Sequence, residues 1–527
     1  MKETLEAFRD SKAIHRRRIY AGFRGLVILI LSLCLTGCTL SHPPITVIYE
    51  PNKDLARNPV IVIPGIKGSE LKNIEKDRNV WGGYWQLNPS DFDDLELKIG
   101  SNGSSDSYEI FNVASNVKAT NIFARWRIFG KLYEKSEIDI YQDLLDTLID
   151  DGGYKNANVE IVYDEYGNLK EFAKKKDSEI VTGANLFVFY YDWRRDNVLN
   201  AVNLQRFITE IKKTYFKDKE DVKFNIVAHS MGGLITRFYI GYHSFCEKAA
   251  KGDLKVYDKI KEDADKDIPN SIGKVILLGT PRDGSLELLR AFLFGEGVET
   301  LSKEDVKKII ITMPAAYQLL PPLCMQEGFD SPDEDMKIRL LDLDNKSACT
   351  SPGGRYSILD SGTWDAMQWS AFSTGWDSQN REDKKKFMKK ALDRAEEFAR
   401  ALHKADIVQC ISNILKLMGG DCDVTIGRGM LRNNKVILSQ KAMEDEIKTI
   451  EKPDSDRSGK SYSVPSELKH YFDPGDGKVT RNSMIKGLKN VNAMFFCQKH
   501  GKLFKEATVK DNMLYELLLK DNPAYKK

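Results

Sequence analysis

One stretch constrains the fold of this 527-residue chain more than any other: Lys223-Phe-Asn-Ile-Val-Ala-His-Ser-Met-Gly-Gly-Leu234. The mostly apolar run from Phe224 to Ala228 reads as a short buried strand. His229-Ser230-Met231-Gly232-Gly233 then reverses sharply into an amphipathic stretch, Leu234 to Tyr242. A strand, a strained turn and a helix are the context that gives a small-x-Ser-x-Gly pattern chemical meaning. Small residues at Ala228 and Gly232 let the chain reverse without a side-chain clash. The turn then lifts the Ser230 hydroxyl out of the sheet and aims a helix N-terminus at any oxyanion formed there. Alanine stands at the first small position, where glycine is usual. A serine that only caps a helix after a core strand is the competing reading, because such short patterns recur by chance.

The other apolar runs place that turn in a layered fold. Pro59-Val-Ile-Val-Ile-Pro64 is continuous and short, as strands buried on both faces of a parallel sheet are. Leu186-Phe-Val-Phe-Tyr-Tyr191 and Lys274-Val-Ile-Leu-Leu-Gly279 read as further strands, and Val198 to Phe216 has a helical pattern. Strands alternating with helices argue for a doubly wound α/β domain. Two long segments interrupt it: Trp81 to Glu179, rich in charges, aromatics and glycines, and Ser285 to about Ser378, similarly irregular. In Arg381 to Lys404, Phe387, Met388, Ala391, Leu392, Ala395, Phe398, Ala399 and Leu402 recur at helical spacing with Lys and Glu opposite. That is one amphipathic helix, packed on the body rather than set against lipid. The polar stretch Glu451 to Lys460 reads as a linker or loop.

Net charge is only +2, which gives no case for a nucleic-acid partner. Cys-x-x-Cys pairs and His-rich tracts are absent, against a zinc module. At the N-terminus, basic residues 15–18 and Arg24 precede the ten-residue apolar run Leu26 to Leu35, too short to span a bilayer comfortably. It ends in Leu35-Thr36-Gly37-Cys38, which resembles a bacterial lipobox, cleaved before a cysteine that then carries lipid. The reading is therefore a signal peptide over 1–37, a lipid anchor on Cys38 and an extended leader over 38–58. Thr39 stands where an aspartate would go with inner-membrane retention, so the outer membrane is favoured in a cell that has one. An oxidising compartment permits disulfides among the six remaining cysteines. Cys324 with Cys349 and Cys410 with Cys422 are the preferred pairs, being closest in sequence, though 15 pairings are open.

A serine nucleophile needs a base, a group orienting that base, and donors for the oxyanion. Four histidines follow Ser230: His243, His403, His470 and His500. His243 lies on the helix leaving the turn, and His403 ends the amphipathic helix; structural or surface roles suit them better. Gly475-Asp-Gly-Lys-Val479 forms a turn from which the Asp476 carboxylate can project, with Asp473 and Asp423 as alternative acids. Where the order is serine, acid, histidine, only His500 follows Asp476.

These blocks together resemble the lecithin:cholesterol acyltransferase family, which includes lysosomal phospholipase A2. Pro59 to Leu71, with its Pro-Gly turn, is similar to the family's first-strand block. Tyr191-Asp-Trp-Arg194, Ala228 to Gly233, Leu278-Gly-Thr-Pro-Arg-Asp-Gly-Ser285, Met313 to Pro321, Gly475 to Val479 and His500 match further blocks in order. The resemblance implies an α/β-hydrolase fold over 59–519, a mostly parallel sheet flanked by helices. It implies cap insertions at about 81–180 and 285–405 and a tail at 520–527. It implies Ser230 as nucleophile, His500 as base, Asp476 as acid, and Ile66 and Met231 N–H groups as the oxyanion hole. Trp81 falls where the family has a lid tryptophan. The weakest match is Thr350 to Lys469, which lacks a clean counterpart of the strand before the acid turn. The implied chemistry is cleavage of lipid acyl esters, as by a phospholipase A, lysophospholipase or lipase, with or without transfer to an alcohol. It calls for no metal or organic cofactor, takes a lipid or other acyl ester as substrate, and leaves oligomeric state open. An esterase or thioesterase for smaller acyl groups, and a catalytically silent envelope lipoprotein, are the rival readings.

Overall fold

The apolar runs pair side by side, as their continuous burial requires. The computed structural model describes residues 57–82, 84–85, 93–99, 111–130, 133–139, 141–174, 181–217, 219, 221–242, 270–296, 301–321, 324–327, 339–342, 357–376, 380–404, 414–432, 435–438, 471–485 and 492–519. Among the described residues the central sheet has six strands: β1 (Val60–Ile63), β2 (Leu186–Val188), β3 (Phe224–His229), β4 (Ile272–Leu278), β5 (Leu415–Gly420) and β6 (Asn492–Phe496). Their order is β2-β1-β3-β4-β5-β6, and every pair is parallel. This is an α/β-hydrolase fold. The chain moves from β1 outward to β2 and then returns to the other side of β1 for β3. Such a reversal opens a crevice at the carboxyl ends of the strands, where ligands bind in open α/β sheets.

Helices cover the sheet. α1 (Asn197–Phe216) starts at Asp196, whose side chain accepts from the Val198 N–H, and ends at Lys217 in the left-handed region. α2 (Met231–Tyr242) follows β3 directly and is buried along almost its whole length, not on one face as the sequence pattern suggests. The reason is α4 (Arg381–Lys404), which lies over it: Phe398 stacks on Phe238, and the Arg237 guanidinium and Tyr242 hydroxyl donate to the Leu402 and Ala401 carbonyls. The apolar stripe of α4 is buried as its periodicity demands, with Ala401 taking the place expected of Ala399. Arg394 lies on the same buried side, where its guanidinium meets the Asp196 carboxylate at 2.9 Å. The region from Ser285 is more regular than its sequence suggests. It contains α3 (Leu286–Phe294) and the helix Lys303–Ile310, each started by a serine side chain at its N-terminus.

The segment after β1 forms an antiparallel sheet from Arg78–Trp81, Ser69–Asn73 and Val117–Ile122, of which the first insertion supplies the last strand; the insertion also forms a hairpin of Val159–Tyr163 with Leu169–Lys174. The strand missing from the sequence reading of Thr350 to Lys469 is β5. Lys416 interrupts its apolar run, yet is buried, because its ammonium meets the Glu516 carboxylate at 3.2 Å. Cysteine pairing also differs from expectation. Cys422 bonds to Cys497 across 75 residues, which excludes Cys410–Cys422. The pairing was illegible because β5 and β6, far apart in sequence, are adjacent in the sheet and end side by side. The expected signal peptide and Cys38, the linker 451–460, and Cys349, Cys410, His243 and His470 lie outside the described residues. Among the described residues, no helix is long and apolar enough to cross a membrane.

Candidate active site

The turn after β3 is as tight as its small residues imply. Ser230 has φ 53°, a left-handed backbone rarely held by a non-glycine residue and one that stores strain at functional sites. Its N–H donates to Leu278 O at 2.8 Å, and its carbonyl accepts from the Gly233 N–H at 3.0 Å, so the strained turn is tied to β4 and to the first turn of α2. Gly232 allows the fit: a Cβ there would lie 2.5 Å from Pro64 O, inside van der Waals contact. The Ser230 hydroxyl therefore stands at the carboxyl edge of the sheet, beside the loop that leaves β1.

The loop after β6 brings a histidine to it. His500 Nε2 lies 3.0 Å from Ser230 Oγ, and His500 Nδ1 lies 2.7 Å from Asp476 Oδ2. Asp476 is held by its own turn, its Oδ1 accepting from the Lys478 and Val479 N–H groups at 3.0 and 2.8 Å. Its backbone carbonyl accepts from the His500 N–H at 2.9 Å. A carboxylate only accepts, so Nδ1 carries the ring proton and Nε2 is left as acceptor for the serine hydroxyl. The Asp476 carboxylate is buried, while the His500 side chain keeps 16% exposure, so the imidazole is open to solvent and its partner is not. Asp473 instead faces Arg428 Nη1 at 3.9 Å and Asp423 faces Lys499 Nζ at 3.9 Å.

The structure thus brings Ser230, His500 and Asp476 together. Met231 begins α2 directly after the serine, where backbone N–H groups have no intrahelical acceptor. Ile66 lies in the turn after β1, next to Lys67 at φ 63°. Trp81 is buried rather than free: its indole N–H donates to Lys67 O at 2.9 Å, and its ring meets Trp193 and Phe123 edge-on. It holds the turn that carries Ile66. His403 is in the last turn of α4. Two residues at the site were missed by sequence reasoning: His229, whose only signal was its place beside Ser230, and Tyr141, which gave none.

The lecithin:cholesterol acyltransferase family profile matches residues 137–418, more than half of the chain. The chain belongs to this family. A curated relative, lecithin-cholesterol acyltransferase-like 4 of Arabidopsis thaliana, is 25% identical over 284 residues, or 51% of this chain. The match spans 44% of that relative's own length. Among solved structures, a chain of the Tle4–Tli4 complex aligns at TM-score 0.42 and 12% identity, covering 88% of this chain and 98% of that one. That likeness is too loose to bear on function. In this family member, Ser230, Trp193 and Arg194 fall inside the matched segment, whereas Asp476 and His500 lie beyond it and rest on geometry.

Proposed function

We propose that this family member is a serine hydrolase or acyltransferase that opens acyl esters of lipids through an acyl-serine intermediate. The observation that carries it is the hydrogen-bonded series Asp476–His500–Ser230 at the mouth of the sheet crevice. Ser230 Oγ attacks the ester carbonyl as its proton passes to His500 Nε2, and the Asp476 carboxylate stabilises the resulting imidazolium. The negative charge on the former carbonyl oxygen is met by the N–H groups of Met231 and Ile66, each worth roughly 3 kcal/mol to the transition state. The imidazolium then gives its proton to the departing alcohol, leaving an acyl-serine. Water attacks that ester in hydrolysis, and an alcohol does so in acyl transfer; His500 takes the proton of the attacking hydroxyl and returns it to Ser230 Oγ as the acyl–serine bond breaks.

Family membership supports a lipid ester as the substrate class, and the lipobox-like Leu35-Thr36-Gly37-Cys38 supports a bacterial envelope lipoprotein placed beside such substrates. The test is fluorophosphonate labelling of the purified protein and a Ser230→Ala variant, with fatty-acid release from mixed phospholipid micelles. Labelling lost with Ser230 and release from micelles are the expected results. Labelling without release would shift the substrate to small soluble esters, and an unlabelled wild-type protein would overturn the serine mechanism.

A further inference from the structure

Behind the triad lies a second series of hydrogen bonds that the proposed mechanism does not use. The Gly65 N–H donates to the Tyr141 hydroxyl at 2.8 Å, and that hydroxyl lies 2.8 Å from His229 Nδ1. A phenol has one proton and cannot aim it at an N–H, so it goes to His229 Nδ1. Nδ1 is then an acceptor, and the proton of the neutral ring sits on Nε2, 3.3 Å from the His500 carbonyl oxygen. Burial, reinforced by the neighbouring His500 ring, holds the His229 pKa well below its ordinary value, which keeps the ring in this neutral form. Burial likewise pushes the Tyr141 phenol up, so it keeps its proton.

The two ends of this series meet the machinery on both sides of the nucleophile. The Gly65 carbonyl accepts from the Gly68 N–H at 3.0 Å, and it shares a rigid peptide plane with the Ile66 N–H. With its N–H on Tyr141 and its carbonyl on Gly68, Gly65 fixes the plane that carries one oxyanion donor. The same glycine lies hard against the nucleophile: a Cβ there would sit 2.7 Å from Ser230 Cβ. At the other end, His229 holds the carbonyl of His500, whose own N–H is held by Asp476. Phe504 packs against the rings of both Tyr141 and His229, with centroids 5.3 and 4.9 Å away.

We infer that Tyr141 and His229 are positioning residues that lock the oxyanion loop after β1 to the backbone of the base after β6. They hold the Ile66 N–H and His500 Nε2 at a fixed separation around Ser230 Oγ. Both side chains are buried. The inference rests on the serine mechanism proposed above and adds to it a side chain from the first insertion, so that segment supports the chemistry from behind as well as covering the body.

The experiment measures kcat and KM on a soluble p-nitrophenyl ester for the full chain, with active sites counted by fluorophosphonate titration. The variants are Ser230→Ala, Tyr141→Phe, His229→Ala and His229→Gln. Tyr141→Phe keeps the ring packing and removes only the hydroxyl. It is expected to lower kcat per titrated site roughly 10- to 100-fold at nearly constant KM, the scale of a slight misplacement of reacting groups. His229→Ala should lose as much. His229→Gln, whose amide can still donate toward the His500 carbonyl, should recover part of it. A purely structural role would lower the number of titratable sites and leave kcat per site intact. Wild-type kcat per site in both Tyr141→Phe and His229→Gln would overturn the inference, and these two conservative variants decide it even where His229→Ala fails to fold. Turnover that survives Ser230→Ala would overturn the serine mechanism and this inference with it, whereas turnover lost only there would overturn this inference alone.

Discussion

The turn after β3 carries Ser230, and the segment after β2 carries Asp192, Arg194 and Arg195; β1 lies between the two strands. Both groups bury polar side chains at the carboxyl edge of the sheet. In the second, the Arg194 guanidinium grips both oxygens of Asp192, at 2.9 and 2.8 Å, and Arg195 adds a contact at 3.1 Å. The remaining donors of the two arginines reach carbonyls of residues 94, 95, 113, 117 and 165, all in the first insertion. None of the three residues leaves a buried polar side-chain atom unpaired. In the first, Asp476 is held as firmly by the Lys478 and Val479 N–H groups, but the His500 imidazole stays partly exposed. Burial with full satisfaction makes a clamp; burial with one face open is what the proposed chemistry needs.

That contrast has a sharp test. Asp476→Asn preserves shape but offers the wrong hydrogen-bonding group to His500 Nδ1, and a fall in kcat of about 10⁴-fold is expected with little change in the unfolding midpoint. Arg194→Met should do the reverse. It leaves the Asp192 carboxylate buried beside one cation instead of two, and removing one member of such a cluster costs about 3–5 kcal/mol of stability, read by urea unfolding. Its kcat per titrated active site should stay near wild type. If Arg194→Met instead slowed turnover and left stability intact, the second cluster would belong to the chemistry and the contrast would fail.

Much of this was legible because it is local. Strand, turn and helix around Ser230 are contiguous in sequence, and the acid turn around Asp476 is set by its own glycines and backbone N–H groups. The α4 face was legible for the same reason: one helix, one period. What could not be read depends on pairing between distant segments. β5 hides behind Lys416, a charge that is tolerable only because Glu516, one hundred residues later, arrives to meet it. Tyr141 looks like any aromatic in a polar insertion until folding sets it against Gly65 and His229. The Cys422–Cys497 bond follows from β5 and β6 being neighbours, which the strand sequences do not state.

That disulfide extends the comparison to a covalent tie. Cys422 follows β5, and Cys497 follows β6 three residues before His500; both side chains are exposed, so a reductant can reach them in the folded protein. Closing a long loop in this way is typically worth about 2–4 kcal/mol. Mild reduction followed by alkylation, or Cys422→Ser, should lower the urea midpoint accordingly. Activity should fall earlier on heating than in the oxidised protein, because the loop that carries His500 loses a fixed point. Unchanged stability and heat tolerance after complete alkylation of both thiols would show that hydrogen bonds alone hold the loop.

The smallest expected effect separates the two clusters by their acid limits. In the unfolded chain His229 takes up a proton near its ordinary value of 6.5, whereas burial and the His500 ring depress its pKa well below that in the folded protein. Between those two values the unfolded state binds more protons. Stability therefore falls as pH drops below about 6.5, by at most about 1.4 kcal/mol per pH unit. His229→Gln should flatten that part of the curve. Asp192 behaves differently: burial pushes its carboxyl up, but Arg194 and Arg195 outweigh burial and hold it below the ordinary 3.8. Its contribution is full above that value and is lost only as pH falls further. Urea midpoints across pH 7 to 3 should thus show His229→Gln differing from wild type in slope over the upper part of the range and Arg194→Met losing stability throughout. Parallel curves for His229→Gln and wild type would mean that His229 takes up its proton in the folded protein as readily as in the unfolded chain, and below about pH 6.5 its Nδ1 could then no longer accept from Tyr141.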